Sequence, residues 1–328
     1  MIRSSLYLLI SLSLLLVVCS CEEDDPEIKD PGSVGIWKYY SNSNGLKDNF
    51  VWTIFEDSDG VIWIGTVYAG LHRFDGNNWK YYDTGDGLLH NTIYGIGEDS
   101  EGNMWIATED GLSILIRQLD YFSNYDEIFE GVPYWPTCIY YDRDTKYMWV
   151  GTFGTGVILY SEDAGPEYFF STEHIDRNYI NCISEDKKGR IWIGTDDGAM
   201  YYENGSMKYF GVEDGLYYPE VTDILEDSWG DIWFSTFHGP YMTRYDGNDT
   251  EPFKLSEEST IWSMVEDHNQ NIWMTSVYGI VKYNGVTLEV FRDKEGLTDN
   301  AVVCSMVDRK GQIWFGTIDG GINIYIPE

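Results

Sequence analysis

Aromatic rings and carboxylates fall together at two recurring places along this sequence. One is a short segment after a Trp-x-Gly-Thr-like string and holds Tyr68, Glu109, Asp110, Phe153, Asp196, Asp197, Phe237, His238, Tyr278 and Asp319. The other precedes an apolar run and supplies Trp135, Tyr218 and Glu220. A ring stacks on the apolar face of a pyranose while a carboxylate accepts its hydroxyl protons, so this pairing is chemistry for holding a sugar or another small polar ligand. The same residue types also make ordinary loops, with rings packed on neighbours and acids in water.

Reaction chemistry has less support. No Walker loop, H-E-x-x-H, G-x-S-x-G or C-x-x-C cluster occurs. The sequence therefore assigns no catalytic residue, no metal ligands and no cofactor, and leans away from an enzyme. His90, His174 and His238 lie beside acids at the same recurring places. They leave open a lyase or hydrolase with a His/acid site, although nothing in their spacing forces them to converge.

The elements that must position these residues follow from a repeat. Trp63, Trp105, Trp149, Trp192, Trp233, Trp273 and Trp314 head WIGT, WIAT, WVGT, WIGT, WFST, WMTS and WFGT, at spacings of 42, 44, 43, 41, 40 and 41. That period is the length of one four-stranded propeller blade. Each unit has an apolar strand ending in acid (VWTIFED), a polar turn (SDG), the tryptophan strand, a second hairpin and an aromatic outer strand (WKYY). The last unit lacks its outer strand, while Ile36–Tyr40 (IWKYY) matches Asn78–Tyr82 (NWKYY). The fold class is thus all-β: a seven-bladed propeller over residues 34–328, four antiparallel strands per blade, closed by an N-terminal strand that completes the last blade and leaves no free edge.

In such a ring the loops leading into the inner strands share one face with the hairpins between strands two and three. All the ring and acid positions above map to that face. The tryptophans are expected as wedges between blades. Asp57, Asp99, Asp186, Asp227 and Asp308, on the opposite face, recur too regularly to be one site and are expected to cap turns rather than bind calcium. Cys138, Cys182 and Cys304 occupy one repeat slot, shared with Thr53, Gly95, Asp223 and Ser263, and are expected as buried free thiols.

The stretch GLKDNFVWTIFEDSDGVIWIGTVYAGLHRFDG resembles the two-component regulator propeller repeat, and the likeness runs from about Val34 to Pro327. Two units depart from it: Asp142 is followed by RDTKYM, one residue longer and without glycine, and Gln270 stands at a glycine position. In that family such propellers serve as extracytoplasmic sensors of hybrid kinases and are associated with glycan fragments. The resemblance implies a recognition role here, as sensor or accessory component. With no kinase segment in the sequence, phosphotransfer is not expected of it.

The N-terminus reads as an address. Arg3, an apolar run from Leu6 to Val18 and then VCSC are in signal-peptide order, and the run is too short to favour a membrane span. The ending resembles a bacterial lipobox, which implies a signal peptide over 1–20 and lipidation at Cys21. The acidic, proline-containing stretch 21–33 is expected to be a flexible tether, and it resembles the export signal of surface-displayed lipoproteins. The expectation is an outer-membrane lipoprotein, at the cell surface rather than on the periplasmic face, touching membrane only through its lipid. A net charge of -34 argues against nucleic acid as a partner and suits either solubility or attraction of cations and basic partners. The partner expected is a glycan or small molecule, or else a protein on an interaction platform. A ring-lined pocket would favour the first, a flat apolar patch the second, and converging His and Glu an enzyme.

Overall fold

The first repeat forms four antiparallel strands in chain order, Val51–Glu56, Ile62–Thr66, Leu71–Phe74 and Trp79–Tyr82. The computed structural model describes residues 27–29, 35–126, 135–161, 165–170, 178–255 and 260–327, and in these the pattern recurs as seven sheets. Blades 1 to 7 begin at Val51, Ile93, Pro136, Ile180, Val221, Ile261 and Val302. The expected closure is present: Ile36–Tyr40 runs antiparallel to Ile322–Ile326 as the fourth strand of blade 7. The inner strand of blade 7 also packs on that of blade 1. Glu27–Lys29, inside the expected tether, pairs in parallel with Thr287–Glu289 on the outer edge of blade 6. The signal peptide and Cys21 lie outside the described residues.

The second strand of a blade is covered on both faces by its neighbours, which is why it reads as a continuous apolar run. Its tryptophan sits at the blade interface: Trp63, Trp192 and Trp273 are buried, and Trp105 is half-buried. A buried indole needs an acceptor for its N–H. The turn aspartate supplies it. Asp57 accepts the backbone N–H groups of Asp59 and Val61 on Oδ1 and the Trp63 Nε1–H on Oδ2 at 2.8 Å. The same clasp joins Asp99 to Trp105, Asp186 to Trp192, Asp227 to Trp233, Asp267 to Trp273 and Asp308 to Trp314, at 2.8–3.0 Å. The aspartates are thus turn caps, as expected, and also anchors for the wedge. In blade 3 the extra residue changes the arrangement, and Asp142 accepts from the Thr145 hydroxyl at 2.5 Å.

Where a glutamate precedes the aspartate, it works between blades. Glu98 accepts from the backbone and hydroxyl of Ser58, Glu226 from Lys187 N–H, Glu266 from Ser228, and, across the closure, Glu56 from Arg309 N–H at 2.8 Å. One Glu-Asp dipeptide therefore ties a turn to its own blade and its blade to the one before. Gly60, Gly102, Gly189, Gly230 and Gly311 close these turns at φ between 76° and 93°, and Gln270 holds φ 64° at the same place. A side chain in the left-handed region costs about 1 kcal/mol. Gln270→Gly should raise stability by that amount in urea unfolding, and an unchanged midpoint would show the strain to be relieved locally.

The loops on the other face are shaped by a second device. After the outer strands of blades 1, 4 and 6, short 3-10 turns end on Gly87, Gly215 and Gly296, each at φ above 100°. That reversal drops Leu88, Leu216 and Leu297 into the core, which pins each loop as it leads into the next inner strand.

Candidate ligand-binding site

Every inner strand carries the same irregularity. The ladder with strand two slips between its first and third residues, as between Val51 and Thr53 or Ile261 and Ser263. A bulge lets two consecutive side chains face the same way, which regular alternation forbids. The bulged residues are Trp52, Tyr94, Thr137, Asn181, Thr222, Trp262 and Val303, and all of them line one central cavity of about 820 Å³. The next residue in six of the strands, Thr53, Cys138, Cys182, Asp223, Ser263 and Cys304, lines it as well.

The bulged residues divide the cavity wall. In blades 3, 4 and 5 they are polar and stitch each blade to the next: Thr137 Oγ1 donates to Ile180 O, Asn181 Nδ2 to Val221 O and Thr222 Oγ1 to Ile261 O, at 2.5–2.9 Å. Around blades 6, 7, 1 and 2 the wall is apolar. The Trp52 ring lies 6.4 Å from Trp262 and 6.0 Å from Tyr94, and Trp262 lies 5.7 Å from Phe237. The Trp262 Nε1–H is shielded from solvent and has no hydrogen-bond partner among the described residues.

Of the residues singled out from sequence, Glu109, Trp135, Phe153, Asp196, Glu220 and Phe237 line this cavity. Glu109 lies 3.6 Å from His90, Asp196 accepts from Asn181 Nδ2 at 3.0 Å, and Glu220 lies 3.2 Å from His238. The other candidates stand outside the cavity wall. Tyr68 and Tyr278 are exposed, with Tyr68 edge-on to Phe50. Tyr218 packs on Tyr217, and His238 touches two cavity residues, Glu220 at 3.2 Å and Phe237 edge-on. Asp110, Asp197 and Asp319 sit in the hairpins, where the backbones of Asp197 and Asp319 bond to Thr195 and Asp299. His174 falls outside the described residues. Sequence reasoning missed Trp52, Tyr94 and Trp262. The signal available was an aromatic one residue before the cysteine slot, but it is meaningful only once the bulge is known.

The cavity floor holds the slot residues, and their identities answer to the strand beside them. Thr53, Cys138, Cys182 and Cys304 face Gly65, Gly151, Gly194 and Gly316, whereas Gly95 faces Ala107. A Cβ on Gly194 would stand 2.5 Å from the Cys182 sulfur, so these glycine-facing pairs have room for one side chain only, whereas Asp223 faces Ser235 and Ser263 faces Thr275. The three cysteines are free thiols, Cys304 buried and the other two half-buried. Burial pushes Cys138 and Cys304 up to about 12 and Cys182 upward too, so they are protonated and unreactive at neutral pH.

Asp223 is the charged member of the slot. Burial pushes its carboxyl up to about 7, against the pull of the Met264 and Ile224 N–H groups at 2.6 and 2.9 Å. A folded-state value above the unfolded one means the native protein holds this proton more tightly, so stability is lost as pH rises from about 4 through 7. The displacement from 3.8 to about 7 corresponds to roughly 4 kcal/mol, and relaxation in the open channel should halve it. Asp223→Asn should therefore gain about 2 kcal/mol relative to the parent between about pH 3 and pH 7 in chemical denaturation; a difference that does not change with pH would remove Asp223 as the titrating group.

A family model described as the two component regulator propeller matches residues 45–68, 87–110, 174–197, 218–238 and 296–319. A histidine kinase P4 from Formosa agariphila is 26% identical over 177 residues, which is 48% of this chain but only 13% of that protein. The extracellular domain of a protein assigned to a hybrid two component system of B. thetaiotaomicron superposes with a TM-score of 0.75 at 22% identity, covering 89% of this chain and 42% of that one. A second extracellular domain from B. thetaiotaomicron, assigned to a one component system, gives 0.73 at 22% identity, covering 89% and 40%. Streptogramin B lyase gives 0.76 at 14% identity, covering 90% and 98%, a likeness of fold alone. The chain thus spans less than half of those two extracellular domains, and no described helix is long and apolar enough to cross a membrane. Five matched repeats stand in register with blades 1, 2, 4, 5 and 7 of the ring, so the chain carries repeats similar to the two component regulator propeller.

Proposed function

We propose that this protein is an extracytoplasmic recognition module that binds carbohydrate in the central cavity, as a sensor or an accessory to one. The observation that carries the reading is the cavity wall: Trp52, Trp262 and Phe237 present a connected ring surface, with Glu109, Asp196 and Glu220 at the rim to accept hydroxyl protons. A pocket lined this way is what a ligand-binding module needs, where a protein-interaction platform would offer a flat apolar patch. A lyase reading has less behind it. The His90–Glu109 and His238–Glu220 pairs belong to blades 2 and 5, and no three His, Cys, Asp or Glu among the described residues converge as a metal site would. Lipidation at Cys21 and display on the outer membrane complete the proposal, resting on the lipobox-like ending VCSC and the acidic run after it.

Thermal unfolding of a soluble chain starting at Glu22 against a panel of oligosaccharides, with and without EDTA, tests it. A saturating ligand at about 100 times its dissociation constant adds roughly 2.7 kcal/mol and shifts the midpoint by several degrees. A shift insensitive to EDTA supports binding without metal, and a flat panel removes the sugar reading. Trp262→Ala should weaken binding about tenfold while leaving the midpoint of the free protein within a few degrees, because its half-buried ring lines the cavity. Undiminished affinity in that variant would place the ligand elsewhere.

A further inference from the structure

We propose that the cavity selects a saccharide carrying a protonated amine, with the ammonium held between the rim carboxylates and the tryptophan rings. This rests on the cavity being the saccharide site. The described lining residues include Glu109, Asp196, Glu220 and Asp223 and no Lys, Arg or His. Four arginines are held by acids of the opposite face, Arg117 by Asp57, Asp59 and Glu98, Arg190 by Asp186, Arg244 by Asp231 and Arg309 by Glu56, while Arg292 donates to Tyr278 O outside the cavity wall. A concave wall with charge of one sign and low-dielectric sides concentrates the opposite charge and repels its own. Uronates and sulfated sugars are therefore disfavoured, and a cation is favoured over a neutral sugar of the same shape.

A metal ion does not fit this charge. The carboxylates are spread over blades 2, 4 and 5, and no three donors converge among the described residues. A diffuse organic cation does fit, since an ammonium on a sugar ring engages one or two carboxylates directly while its C–H face stacks on indole, and aromatic faces attract cations in their own right.

The test is calorimetric titration of three short oligomers of one length: β-1,4-linked glucosamine with free amines, its N-acetylated form and the corresponding glucose oligomer. The free-amine oligomer should bind at least tenfold more tightly than the N-acetylated one, with affinity falling as salt rises. Glu220→Gln and Asp196→Asn should each shrink that gap severalfold, while Glu101→Gln, in a turn of the opposite face, should leave it unchanged. Equal affinity for all three oligomers would overturn the charge selection and leave the saccharide reading standing. No binding by any of them would overturn the saccharide reading and this one with it. A gap reduced as much by Glu101→Gln as by Glu220→Gln would show attraction by the whole acidic surface, which also overturns the proposal.

Discussion

A chain beginning at Asn42, without the closing strand, should lose more than about 5 kcal/mol of stability relative to one beginning at Gly35. Two sets of interactions leave together. The ladder from Ile36–Ile326 to Tyr40–Ile322 goes, which exposes the edge of the last blade. So do two aromatic clusters: Trp37 lies 5.1 Å from Tyr325 and 6.0 Å from Phe291, and Tyr40 lies 5.1–5.2 Å from Phe74 and Trp79 in blade 1. Burying two such rings is worth roughly 2–3 kcal/mol each. Against a total stability of about 5–15 kcal/mol, the loss takes most of the margin. The truncated chain should show a broad, early urea transition and bind a hydrophobic dye. A sharp transition at the parent midpoint would mean that the ring holds without its latch.

Trp192→Ala should cost about 5 kcal/mol. The ring is buried between blades 4 and 5, 4.7 Å from Tyr201, 5.9 Å from Phe210 and 5.3 Å from Phe234 of the next blade, with the Arg190 guanidinium 5.0 Å from its centre. Removing a buried tryptophan costs about 3–5 kcal/mol, because the void collapses only in part. Loss of the bond from Nε1 to Asp186 adds about 1 kcal/mol; the carboxylate keeps its turn N–H donors and Arg190, so it is not stranded. Trp105→Ala serves as the comparison. Its ring is half-buried, so the cost should be smaller, about 2–3 kcal/mol, and the difference between the two variants measures the wedge itself. A loss below about 1 kcal/mol for Trp192 would contradict its place between blades.

These two results bear on features that were legible in one dimension. A period of 40 to 44 residues, a last unit one strand short and a spare IWKYY at the other end were enough to give the number of blades and the latch. Repetition makes this possible, since each unit folds by the same local rules and the pattern of one confirms the others. The aspartates of the turns were legible as caps but not as acceptors for tryptophan, because that bond spans a hairpin and depends on how the strand turns back.

The candidate site was legible only in part, for a related reason. Assigning loops to one face identified Glu109, Trp135, Phe153, Asp196, Glu220 and Phe237 as cavity residues, because the face follows from strand direction. The same rule also gathered Tyr68 and Tyr278, which share the face but stand back from the channel; distance from the axis is set by loop curvature and not by position in the repeat. Trp52, Tyr94 and Trp262 were hidden in inner strands that read as regular alternation. The sequence by itself determined the ring, its closure and the face on which chemistry collects, since these follow from local pattern and its recurrence. Which side chains meet in the cavity was decided only by the tertiary structure, because the bulge in each inner strand arises where neighbouring blades crowd the axis and has no residue signature of its own.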